Sequence, residues 1–86
     1  MKTKVSANYW HRIIQHYSNV LNERFYGQLY TPVVQHHMKR TLDEAILKAR
    51  MMEKDPAWHV PLQLRFDPYS HNFIIEATNP EQLEFV

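Results

Sequence analysis

The stretch VPLQLRFDPYSHNFIIEAT (residues 60–78) is where the sequence stops reading as helix and starts reading as sheet. Val60, Leu62, Leu64 and Phe66 alternate with Pro61, Gln63 and Arg65, and Phe73, Ile75 and Ala77 alternate with Ile74, Glu76 and Thr78. A period of two predicts a strand with one apolar face, here over 60–66 and 73–78. Between the runs, Asp67-Pro68-Tyr69-Ser70-His71-Asn72 opens with Asp then Pro, as a type I turn prefers. Pairing Phe66 with Phe73 sets Leu64 opposite Ile75 and Leu62 opposite Ala77, so a single register gathers the apolar pairs on one face. A lone hairpin is marginal in water. The segments before it must cover that face, or a second copy must extend the sheet.

Those segments read as two helices. Over residues 6–26, Trp10, Ile13, Ile14, Tyr17, Val20, Leu21 and Phe25 recur along one stripe. Ser6 is placed as N-cap and Gly27 as C-terminal stop. Thr31-Pro32 is a second start signal, a cap residue followed by proline at the first helical position. This helix is predicted over 32–54, ended by Asp55-Pro56. Its stripe is Val34, Met38, Leu42, Ala45, Ile46, Ala49 and Met52. Thr41 with Glu44 also forms a capping box that could break the helix near Arg40, but the stripe keeps its phase across that point. Asn79-Pro80-Glu81-Gln82 reads as one more helix start, with a turn or two left before Val86. The expected architecture is α+β: a single domain over 1–86, with two antiparallel helices packed on a C-terminal hairpin.

Composition narrows the function classes. There is no cysteine, which removes disulfide and thiolate chemistry and suits a reducing compartment. No apolar run approaches the roughly 20 residues of a membrane span. The basic N-terminus lacks a signal-peptide core, and a cytoplasmic chain is expected. One glycine in 86 residues argues against phosphate-cradling loops. The net charge of +1 hides a division: residues 1–54 hold nine Lys/Arg against four acids, and residues 55–86 hold one against five. Such polarity suits an acidic partner or a second copy of the chain.

The stretch VVQHHMKR (residues 33–40) invites a metal or nucleic-acid reading. Adjacent helical residues diverge by about 100°, so His36 and His37 cannot face one ion together. His11 and His16 point roughly 140° apart, and His59 and His71 flank opposite ends of the hairpin. Zinc commonly takes three or four ligands, and no such set is spaced for it. No cofactor is expected. For nucleic acid, the basic candidates are Arg12, Lys39, Arg40, Arg50 and Lys54, but Asp43 lies near Lys39 and Arg50, and Glu44 near Arg40 and Lys48. That pattern describes a solvated helix face more than a phosphate-binding one. Asp67 and His71 could meet across the hairpin loop, but Asp before Pro is ordinary turn chemistry, and no catalytic motif is present.

The more informative feature is a second apolar stripe on the second helix. Val33, Leu47 and Met51 fall roughly 140–180° from Leu42, with Arg40 among them. Either the hairpin covers that side or it is a contact surface. Ile74 on the outer hairpin face, with Tyr9, Tyr26 and Tyr30 around the helix turn, adds interface-type area. The expected function is a non-enzymatic protein-binding or regulatory module, with Val33, His37, Arg40, Leu47, Met51 and Ile74 as contact residues and a homodimer as its form. Size and compactness are those of small phage or mobile-element accessory proteins, an analogy resting on no residue. A helix-turn-helix-like nucleic-acid regulator is the alternative.

Overall fold

The computed structural model describes residues 2–86. Two helices are followed by an antiparallel hairpin, a mixed α+β order. Helix α1 spans Ala7–Phe25, and the Ser6 hydroxyl accepts the Tyr9 N–H at 3.1 Å. Gly27, at φ +75°, turns the chain out of the helix in the left-handed region that glycine enters without penalty. Helix α2 spans Pro32–Met52, capped by Thr31, whose hydroxyl accepts the Val34 N–H at 3.3 Å. It runs unbroken through Arg40, so the Thr41–Glu44 capping signal is overridden by the continuous stripe. The helix stops two residues earlier than predicted: Glu53 has left helical geometry, and Lys54 lies beyond the end.

Strands β2 (Leu62–Asp67) and β3 (Asn72–Ala77) form the hairpin, with Leu62↔Ala77, Leu64↔Ile75 and Phe66↔Phe73 in register. Val60 and Pro61, read from sequence as strand, precede it, although the Pro61 carbonyl still accepts the Thr78 N–H at 3.0 Å. The Asp67 carboxylate shapes the turn by accepting the Tyr69 N–H and the Ser70 hydroxyl, both at 2.9 Å. His71 sits at φ 55°, a left-handed position that histidine tolerates better than most residues.

Three elements were not predicted. Residues Pro56–His59 form a 3-10 turn capped by Asp55. The chain ends also pair: β1 (Thr3–Val5) runs parallel to β4 (Leu83–Phe85). The tail therefore makes a single 3-10 turn, Pro80–Gln82, and then extends as a strand.

The core runs along one side of α2. Ile13, Tyr17, Leu21 and Phe25 of α1 and Met38, Leu42 and Ile46 of α2 are buried together with Leu62, Ile75 and Ala77. One surface recess joins His16 and Val20 to Ala49 and Met52, and another joins Arg24 and Phe25 to His37 and Thr41. The middle of α1 thus lies beside the end of α2, and its end beside the start, so the helices are antiparallel. Strand β3 packs on α1, and β2 on α2. Val5, Ala57, Val60 and Leu83 extend the core under the paired termini.

Some expected core positions differ. Trp10 and Leu64 are half-buried, Trp10 in the first turn of α1 and Leu64 at the margin between β2 and α2. Met52 is 71% exposed because the chain leaves the helix there. Tyr9 is held in the fold, its hydroxyl accepting the Trp58 indole N–H at 2.7 Å.

Tyr17 carries the one buried side-chain oxygen without a partner among the described residues. Burial first, then the nearby Glu53 carboxylate, pushes its pKa up to about 12. The phenol is held neutral in the fold and ionises near 10 when unfolded. Its contribution is therefore complete below about pH 10 and lost as pH climbs towards 12. Denaturant titration should show Tyr17→Phe costing less than about 1 kcal/mol at pH 7, because the lost hydroxyl has no bond to break. Part of the alkaline destabilisation should disappear in that variant. Leu42→Ala should cost about 2–5 kcal/mol. A Tyr17→Phe loss matching that of Leu42→Ala would show a bond that this packing lacks.

Candidate functional site

Because α1 and the hairpin both pack on the stripe Met38–Leu42–Ile46, they occupy adjacent sectors of α2. The recess against α1 takes in His37, Arg40, Thr41 and Glu44, and that against the hairpin takes in Asp43, Ile46, Leu47 and Arg50. The sector opposite Leu42 runs along the rims of these two recesses, and its side chains stay largely exposed among the described residues. Val33 is 66% exposed, Leu47 60% and Met51 81%. His37, Arg40 and Glu44 are exposed on the same side. The hairpin therefore leaves the second apolar stripe open.

The structure brings five of the six expected contact residues, Val33, His37, Arg40, Leu47 and Met51, onto one helix face. Ile74 stands apart on β3, opposite Arg65 and 41% exposed. Beside it, Arg65 pairs with Glu76 at 3.3 Å, and Gln63 donates to the same carboxylate. Glu44 belongs to the open face but was read from sequence only as a neighbour of Arg40 and Lys48. Its spacing from Arg40 and Leu47 was the available signal. The expected helical ion pairs do not close: among the described residues, the only ion pair within 4.0 Å is Arg65–Glu76. Exposed helical pairs of this type contribute only a few tenths of a kcal/mol. Of the three tyrosines, Tyr26 alone is free. Tyr30 stacks edge-on against Phe66 and Phe73.

The basic residues are distributed around the fold. Arg12 lies on α1, whereas Lys39 and Arg40 occupy different sides of α2. The Arg50 guanidinium donates to the His59 carbonyl at 3.0 Å, and Asp43 shares surface recesses with both Lys39 and Arg50. The rings of His36 and His37 lie 5.9 Å apart on the exposed side of α2. No group of three or more His, Asp or Glu among the described residues is placed to hold a metal ion.

Two open cavities remain. One, of about 560 Å³, lies between Leu29–Thr31 and the hairpin loop. Asp67 and His71 both line it, but the Asp67 carboxylate is held by the turn, and those hydrogen bonds, the Tyr69 N–H first, lower its pKa. The other, of about 480 Å³, lies between α1, the end of α2 and Trp58. No family model, curated protein or solved structure matches this chain.

The division of positive charge predicts no salt-sensitive binding to mixed DNA or RNA at micromolar protein. Titration of a labelled duplex across salt concentrations checks this. Saturable binding that weakens steeply with salt and is lost in Lys39→Ala/Arg40→Ala would contradict it.

Proposed function

We propose that this chain is a non-enzymatic protein-contact module that binds through the outer face of α2. The observation supporting this reading is the exposure of Val33, Leu47 and Met51 on one side of the longest helix, interspersed with His37, Arg40 and Glu44. Single exposed apolar residues are ordinary. Three in register on a rigid helix, with charged residues between them, resemble the apolar anchors and polar surroundings of a protein interface. Association through this face, including self-association, is the function the arrangement favours. The cysteine-free sequence is compatible with work in a reducing compartment such as the cytoplasm. No helix among the described residues is long and apolar enough to cross a membrane.

Photocrosslinking in producing cells tests the surface directly. Leu47 replaced by benzoylphenylalanine should give a discrete adduct with a protein. The same probe at Gln15, exposed on α1, should give none. Absence of an adduct at position 47, or equal labelling at both positions, would remove the assignment of this face.

A further inference from the structure

The open face of α2 has an internal order. Val33, His37, Arg40, Glu44, Leu47 and Met51 follow one another at intervals of four, three, four, three and four residues. This is the a/d spacing of a helix seam that packs against another helix. The order is also symmetric about Leu42: Val33 and Met51 lie nine residues to either side, His37 and Leu47 five, and Arg40 and Glu44 two.

We infer that a second copy of this chain covers the face, its α2 antiparallel to the first across a two-fold axis at Leu42. This rests on the reading above that the face binds protein. In that register Val33 meets Met51 of the second copy, and His37 meets Leu47. Arg40 meets Glu44, and the symmetry makes each contact twice. Every layer then sets an a position against a d position, as an antiparallel seam requires. Apolar pairs close the two ends, and two Arg–Glu pairs occupy the centre. Arg40 and Glu44 border Arg24 and Phe25 of α1, yet neither has an ion-pair partner within 4.0 Å among the described residues, so both charges can engage across the axis.

Charge selects the direction. A parallel pair would set Arg40 against Arg40 and Glu44 against Glu44, and like charges at contact repel. On one flank of the antiparallel seam Asp43 faces its own mate. Lys39 and Arg40, one turn before it, offset that repulsion. At about 1.5 Å per residue, the 21 residues of α2 span roughly 31 Å, most of the 37 Å long axis of the molecule. The contact is isologous, so it closes at two copies.

Sedimentation of charge variants across a concentration series tests the register. The unmodified chain should dimerise. Arg40→Glu alone and Glu44→Arg alone each place like charges at the centre and should weaken dimerisation about tenfold or more. An equimolar mixture of the two variants should form a heterodimer, and Arg40→Glu/Glu44→Arg should recover the homodimer. Circular dichroism should show unchanged helix content in all three, since both positions are exposed. A chain monomeric at several hundred micromolar would overturn the inference, as would single variants that dimerise normally or a mixture that fails to associate. Dissociation by Ile74→Lys without any effect of the central charges would overturn it in favour of the β3 edge. A monomeric chain that still crosslinks a foreign protein through position 47 would remove the second copy but leave the protein-contact reading standing.

Discussion

Burial of Met38, Leu42 and Ile46 along one side of α2 sets the terms for every other element. Helix α1 needs that stripe to cover Ile13, Tyr17 and Leu21, and strand β2 needs it to cover Leu62. Both partners therefore crowd around the same half of the helix circumference. Among the described residues, no further helix or strand packs on the other half. The exposure of Val33, Leu47 and Met51 follows from this geometry. For a small domain with a limited core, association is an established way to bury more apolar surface.

The remaining contacts hold the three packed elements together at one end. Pairing β1 with β4 brings the chain ends side by side and covers Val5 and Leu83. The 3-10 turn at Pro56–His59 sets Trp58 against Tyr17, with ring centroids 5.8 Å apart, and within reach of the Tyr9 hydroxyl. These contacts join residues far apart in sequence and link the start of α1 to the segment that leaves α2. The cluster also leaves the Tyr17 hydroxyl dry, a local cost accepted in exchange for a large aromatic ring in the core.

The parts of the fold legible in the sequence were those with a periodic signal. Ser6, Gly27, Thr31 and Pro32 marked the helix limits closely because caps and stops act through local chemistry. The hairpin register was legible because the Phe66–Phe73 pair fixes the face of every other pair. The termini were not legible: three-residue strands carry no measurable period, and their pairing is parallel and spans almost the whole chain. Residues 55–59 read only as a helix stop, because the value of Trp58 lies in a distant tyrosine. At the candidate site, the apolar positions were visible as a second stripe. Their exposure was not, since that depends on where the hairpin docks. Glu44 was missed because pairing it with Arg40 along the helix concealed its place on the open face.

The central claim is that the open face of α2 is complementary to itself in one antiparallel register. Because the chain has no cysteine, introduced thiols report distances without background. In the proposed dimer, a thiol at position 33 lies roughly 27 Å along the helix axis from its own mate but beside position 51 of the second copy. A disulfide requires Cα atoms within about 7 Å. Val33→Cys alone and Met51→Cys alone should therefore remain reduced in a glutathione redox buffer, while their equimolar mixture oxidises to a covalent heterodimer. Rapid disulfide formation by Val33→Cys alone, or no disulfide in the mixture, would contradict the account.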